Sequence, residues 1–355
     1  MHRAIFVALA CAFVLLVVGA GASSASRAGT TLSIPFSAAY TAAQLDAYAG
    51  ADWLSVQGDL KNDRYSTLTQ ITPANVGKLK PAWHIHLGNC TNGLVVTAPL
   101  AAAVTPTPGE QIGVPAQAPV CGGEEANAVV ASGVMYLEDS QSSVYALDAT
   151  NGNQLWKYTP AFAPGYNNGS GSRAPGVSLG QGLVFVSEPD GFVTALNQVN
   201  GAVIWKAVAG DWHKGVSLSD TPAYYNGEVI VGTSGGDGGG ISSVIEAFNA
   251  TTGQLMWAWN IIPNHNQPGG NTWPWSDKTG ANFGGGAIWQ NPSIDAKDGL
   301  VIIGTGNTVP WNSRGPGENL WTDAIVALNV NTGAFVWGYQ TAHHDLWDSD
   351  LPNNT

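Results

Sequence analysis

One 13-residue pattern recurs four times and limits the folds open to this chain. Val144–Trp156 reads VYALDATNGNQLW and Val193–Trp205 reads VTALNQVNGAVIW. Ile245–Trp257 reads IEAFNATTGQLMW and Ile325–Trp337 reads IVALNVNTGAFVW. Every copy has Ala at the third place, Gly at the ninth and Trp at the thirteenth. Two short apolar-rich runs around an Asn-Gly or Thr-Gly pair predict a β-hairpin. The starts at 144, 193, 245 and 325 are 49, 52 and 80 residues apart, so the last unit carries an insertion.

A further strand is predicted before each hairpin, at Gly133–Leu137, Gly182–Val186, Gly227–Val231 and Gly299–Ile303, with another before that, such as Ala126–Ala131. Four antiparallel strands in a unit of about 50 residues make a β-propeller blade, so the fold class is all-β. A blade cannot bury both faces alone and needs a neighbour on each side. The recurrent Trp is therefore read as structural, with its ring packed between adjacent blades. Composition agrees: charged residues are 11% of the chain, with 45 Gly and 14 Trp, which opposes disorder and helical bundles. The formal net charge of −12 weighs against nucleic acid or an anionic membrane surface as a partner.

The N-terminus carries targeting information. His2 and Arg3 precede an apolar run from Ile5 to Val18, followed by small residues up to Ser26. This pattern predicts a signal peptide over residues 1–26 and a periplasmic or secreted mature chain from residue 27. Removal of the signal takes Cys11 with it and leaves Cys90 and Cys121, which read as one disulfide in an oxidising compartment. It would tie residues 89–121, rich in Ala, Pro and Gly, as an excursion over the surface. Before it, Asp52–Gly88 alternates turn residues with short apolar runs and ends in a strand-like stretch, Ala82–Leu87. No CxxCH is present in the sequence, and so no attached c-type haem is expected.

Candidate chemistry gathers in the loops that follow the Gly-started strands, since equivalent loops of successive blades emerge at one end of a propeller. Superimposing the copies places Asp139, Glu188, Asp237 and Asn307 there. Oxygen-bearing side chains converging near an axis suit a hard cation. Asp139 reads as an ordinary turn residue, and so, less firmly, does Glu188. Asp237 lies in a glycine-rich stretch, SGGDGGG, where the backbone can approach a ligand closely. Near the end, QTAHHDLWDSDLP places Asp348 and Asp350 one residue apart beside Trp347. In a strand, both carboxylates would face the same way, as suits a cation site or a general base.

The hairpins, the opening QGDLKNDRYSTLTQITPANVGKLKPAW, the stretch GTGNTVPWN and the ending HHDLWDSDLP resemble quinoprotein dehydrogenases dependent on pyrroloquinoline quinone. The ending is similar to that of membrane glucose dehydrogenases, while GTGNTVPWN is similar to that of soluble alcohol dehydrogenases. The resemblance covers nearly the whole mature chain and implies about half of an eight-bladed ring. It implies a fragment, or a second polypeptide that completes the propeller. It also implies pyrroloquinoline quinone and Ca²⁺ as cofactors, with a lanthanide as the alternative ion. Asp237, Asn307, Asp348 and Asp350 match metal-binding positions, and Asp348 also matches the catalytic base. Trp289, in GGGAIWQ, matches the Trp on one side of the quinone. Glu125, Arg173, Gly235 and Gly236 complete the implied cofactor set.

Two departures stand out. SGSRAPGVS occupies the region where many relatives carry an adjacent Cys-Cys pair, and Glu188 replaces a Thr that touches a quinone carboxylate. An ionised Glu there would repel the quinone unless it were protonated or turned away. The implied activity is oxidation of an alcohol or sugar hydroxyl to a carbonyl, with electrons passed to cytochrome c or ubiquinone. A non-catalytic scaffold or a truncated, inactive relative is the alternative.

Overall fold

The computed structural model describes residues 32–34, 39–85, 87, 126–166, 176–235, 241–274, 283–309 and 317–351. All of its strands lie within the unit Ile34–Thr355. The first blade comprises β1 (Val129–Ala131), β2 (Val134–Glu138), β3 (Val144–Asp148) and β4 (Gln154–Tyr158). The second comprises β5 (Ser178–Gly180), β6 (Leu183–Glu188), β7 (Phe192–Asn197) and β8 (Val203–Val208). The third comprises β9 (Ala223–Tyr225), β10 (Glu228–Gly232), β11 (Val244–Asn249) and β12 (Leu255–Asn260). A short strand, β13 (Gly284–Gly285), precedes the fourth blade. That blade is built from β14 (Ser293–Asp295), β15 (Leu300–Gly304), β17 (Ala324–Asn329) and β18 (Phe335–Gln340), with β16 (Thr308–Val309) between its second and third strands. Each blade is a four-stranded antiparallel sheet in sequence order, as the repeat predicts.

The hairpins are superimposable down to their hydrogen bonds. In each, the third-place Ala lies across from the Trp, as in Ala146–Trp156 and Ala327–Trp337, and a register shift follows it at the same place. The fifth-place Asp or Asn closes the turn. Its carbonyl accepts from the ninth-place Gly amide, and its side chain accepts from an amide two residues on, as at Asn249 and Thr251 (3.0 Å). The Gly is left-handed in all four copies, at φ 76, 71, 70 and 66°.

That Gly is also where consecutive blades meet. A β-carbon on Gly152 would lie 2.6 Å from the Trp83 ring, on Gly201 2.6 Å from Trp156, and on Gly253 2.7 Å from Trp205; Gly333 meets Trp257 in the same way. The indole N–H of each Trp donates to the sixth-place carbonyl of the hairpin it covers. Trp83 bonds Ala149 (3.1 Å), Trp156 bonds Gln198 (2.9 Å), Trp205 bonds Ala250 (2.9 Å) and Trp257 bonds Val330 (3.0 Å). Trp156 and Trp257 are 7% and 8% exposed, whereas Trp337, which covers no hairpin among the described residues, is 41% exposed.

Inside the row, apolar residues of blades two to four, including Phe185, Val229, Ile245, Val301 and Val326, form one continuous core. Segment 45–64 covers the innermost strands. Trp53 exchanges two backbone bonds with Val130 (2.7 and 2.8 Å), and the Leu60 carbonyl accepts from Ile294 (2.8 Å). Leu45 and Leu60 thereby join the core. The strand expected at Ala82–Leu87 is not formed among its described residues; Trp83 is held instead through its ring, and no neighbouring strand among the described residues supplies a ladder. The disulfide expected between Cys90 and Cys121, its excursion and the signal peptide lie outside the described residues.

The docking rule gives a direct stability test. Gly253→Ala forces a left-handed residue and a methyl group against Trp205, and is expected to lower unfolding free energy by about 2–3 kcal/mol. Trp337→Ala should change it by less than about 1 kcal/mol, because the ring buries little. Urea unfolding midpoints of the two variants would decide, and equal losses would contradict the rule.

Candidate functional site

The loops after β2, β6, β10 and β15 carry the residues singled out by superposition, and their environments separate. Asp139 is a turn residue, as expected. Its Oδ1 accepts from the Gln141 and Ser143 amides (2.9 and 2.8 Å), and its Oδ2 accepts from the Tyr145 hydroxyl (2.9 Å). Glu188 is fully buried and turned into its blade. Its Oε1 accepts from Thr194 (2.6 Å) and Tyr158 (2.8 Å), and its Oε2 from Lys206 Nζ (2.6 Å). This removes the expected conflict with an anionic cofactor, since the carboxylate is consumed by three donors, Thr194 and Lys206 of its own blade and Tyr158 of blade one.

Two further buried acids lie at the same strand ends. Burial pushes the Glu138 carboxyl, at the end of β2, well above the ordinary carboxylate range. Asp220 spans two blades, accepting from the Ser187 hydroxyl (3.1 Å) and the Gly232 amide (2.7 Å). Its complete burial raises its pKa to about 7, against those two donors.

The insertion before blade four, seen in the sequence only as a long spacing, builds the centre of the site. Gly284–Ile288 runs as a backbone strap between blades three and four. On one side, the Gly285 amide donates to Ile241 (2.7 Å), the Gly285 carbonyl accepts from Ser243 (3.1 Å), and Ile288 donates to Thr233 (3.0 Å). On the other side, β13 pairs with β16, Gly286 donates to the Asn307 carbonyl (2.9 Å), and the Ala287 carbonyl accepts from Gly306 (2.8 Å). The half-buried Trp289 follows directly. Gly235, at φ 107°, packs so closely on the Gly215 carbonyl that no side chain fits there.

The C-terminal acidic stretch meets Asn307 from the far side. Asp350 Oδ1 accepts from the Asn307 amide at 2.5 Å, across 43 residues of sequence. Asn307 itself is buried. Asp348 and Asp350 are held by a loop, not by the strand that alternation would require, because Asp345 gathers the intervening backbone. Its carboxylate accepts from Trp347 N (3.0 Å), Ser349 N (3.0 Å) and Ser349 Oγ (2.8 Å). Asp348 adopts a left-handed φ of 67° and is exposed, as is its neighbour Trp347 at 87%.

Of the residues expected at the site, Glu125, Arg173, Gly236 and Asp237 lie outside the described residues. Among those described, Asn307 and Asp350 are brought into contact, and the strap that leads into Trp289 bonds Asn307 directly. No group of three His, Cys, Asp or Glu side chains poised for a metal is assembled among the described residues alone. The strap and Asp345 were not anticipated as site elements. The three consecutive glycines before Ala287 were the only sequence signal of the first, and the Asp-x-x-x-Ser spacing of the second.

This architecture coincides with that of known proteins. The family model for the β-propeller domain of glucose, ethanol and alcohol dehydrogenases dependent on pyrroloquinoline quinone matches residues 53–355, and the chain belongs to that family. Quinoprotein alcohol dehydrogenase PedH of Pseudomonas putida is 32% identical over 320 residues, which are 84% of this chain and 47% of that protein. Quinohemoprotein alcohol dehydrogenase of Comamonas testosteroni is 32% identical over 313 residues, 84% of this chain and 40% of that protein. Among solved structures, quinohemoprotein alcohol dehydrogenase ADHIIG of Pseudomonas putida HK5 superimposes with a TM-score of 0.70 at 28% identity, covering 88% of this chain and 44% of its own. A europium-containing methanol dehydrogenase superimposes at 0.69 and 26% identity, covering 85% and 51%. The chain thus spans about half the length of the proteins it matches.

Asp220 yields a pH prediction. Its folded pKa of about 7 lies above the unfolded value of 3.8, so the folded chain binds an extra proton between them. The stability from this group is fully present below pH 4 and is lost as pH rises through about 7. Asp220→Asn keeps an acceptor for Gly232 and should raise the melting temperature at pH 8 while flattening its pH dependence. Melting curves from pH 4 to 8 that keep the wild-type slope would contradict this assignment.

Proposed function

We propose that this chain is the metal-holding portion of a quinoprotein dehydrogenase that oxidises an alcohol or sugar hydroxyl to a carbonyl. The observation that carries the reading is the contact between Asn307 and Asp350, which joins the loop of blade four to the Asp348 segment. The donor set fits a hard cation, because amide and carboxylate oxygens are what Ca²⁺ or a lanthanide ion takes. Asn307, Asp348 and Asp350, with Asp237, would hold that ion.

Trp289 would offer a flat apolar face to pyrroloquinoline quinone, with Gly235 and Gly236 admitting it closely and Glu125 and Arg173 contacting its polar groups. Arg173 is the proposed cation for the quinone carboxylates because Lys206 is committed to Glu188. When bound, the quinone supplies the acceptor for a hydride from the substrate carbon. The exposed Asp348 carboxylate takes the hydroxyl proton as general base.

Export to the periplasm is proposed from the 1–26 pattern. Electron transfer to cytochrome c or ubiquinone is proposed by analogy with relatives that are quinohemoproteins or dehydrogenase subunits. Further blades, on a second polypeptide or a longer chain, would cover Trp337 and supply the remaining quinone contacts.

Reconstitution with pyrroloquinoline quinone and Ca²⁺ or La³⁺, followed by dye reduction with a panel of alcohols and aldoses, tests the reading. Metal-dependent turnover is expected, falling at least about 100-fold in Asp348→Ala. Turnover that survives Asp348→Ala unchanged would overturn the assigned base.

A further inference from the structure

We infer that the Gly284–Ile288 strap is a positioning element that sets the metal affinity of the site, an inference that rests on the metal-site reading above. Its backbone forms the middle of a small three-layer ladder. Blade three contributes Thr233, Ile241 and Ser243, and blade four contributes Gly306, Asn307 and Thr308. The strap donates three amides and offers two carbonyls across these two sides, all within 2.7–3.1 Å. Asn307 and its neighbour are therefore held at three points by two segments, the strap and the Asp350 loop. The Asn307 carbonyl is fixed by Gly286, its amide by Asp350, and the next residue by the β13–β16 pairing.

The strap has no room for side chains where it threads the gap. A β-carbon at Gly284 would overlap the Ile241 backbone, and one at Gly285 would overlap the Asn307 carbonyl. Gly285 is moreover left-handed, at φ 106°. The blade-three side of the ladder consists of the two ends of the loop that contains Asp237. Changing the strap at Gly285, where it threads the gap, thus changes the spacing between Ile241–Ser243 and Asn307 while leaving the core residue Ile288 in place. A site for a hard ion loses affinity when its donors are displaced by fractions of an ångström, because ligand number and spacing set its binding constant. The strap residues Gly284, Gly285, Gly286, Ala287 and Ile288 carry no polar side chain, so their role is to position Asn307 and is not catalytic.

Titration of the full chain with Tb³⁺, followed by emission excited through tryptophan, gives a readout independent of turnover. Gly285→Ala is expected to weaken Tb³⁺ binding at least tenfold, with Ala287→Gly weakening it less by loosening the same backbone. Amide exchange of the core strands β10 and β15 should stay at wild-type protection, while Asn307 and Gly286 exchange faster. If Gly285→Ala loses core protection, Ala287→Gly decides alone. Unchanged Tb³⁺ affinity in a folded variant overturns the positioning role and leaves the metal site standing. Failure of the wild-type chain to bind Tb³⁺ removes the metal-site reading and the strap's role together.

Discussion

The contact of a Trp ring with a left-handed Gly in the next hairpin holds this structure together. Burying an indole while satisfying its N–H on a carbonyl is worth several kcal/mol, on the scale of about 3–5 for truncating a buried Trp. The contact works only if the Gly lacks a β-carbon, the Asx residue four places earlier closes the turn, and the sixth-place carbonyl points outward. All three conditions recur in each copy, so one local solution is reused wherever two blades meet. Because each blade's position follows from its predecessor's Trp, the loops at one end of the row are placed by these contacts.

The candidate site residues gather where the repeat is broken. Blades one and two carry short loops after β2 and β6, and there Asp139 and Glu188 are taken up by hydrogen bonds within these two blades. Blades three and four carry longer connections, and the insertion between them becomes the strap that bonds Asn307. Asp350 then closes on the same residue from the chain's far end. A regular scaffold thus provides rigidity, and irregular backbone tied to it by main-chain bonds provides the site.

Much of this was legible in the sequence, for a physical reason. The hairpins, their turns and the structural Trp depend on local chemistry: Asn/Thr-Gly turns, Asx closure and alternating apolar residues. The identity of each Trp's partner follows from the repeat itself. Asn307 and Asp350 were individually visible, but their contact spans 43 positions and no local pattern encodes it. The expected strand at Asp348–Asp350 was displaced because Asp345 captures three donors within four residues, a competition that strand alternation ignores. Glu188 looked hazardous to an anionic ligand only because its three donors come from positions that sequence spacing does not bring together. Ala82–Leu87 has strand character but meets no partner strand among the described residues, and a ladder needs both.

Anomalous diffraction from a crystal of this chain soaked with a lanthanide tests the central claim most directly. One strong peak is expected, bounded by the side-chain oxygens of Asn307 and Asp348, with Asp350 beside it and the Gly284–Ile288 strap unmoved. A peak on surface carboxylates alone, with none at Asn307, would contradict it.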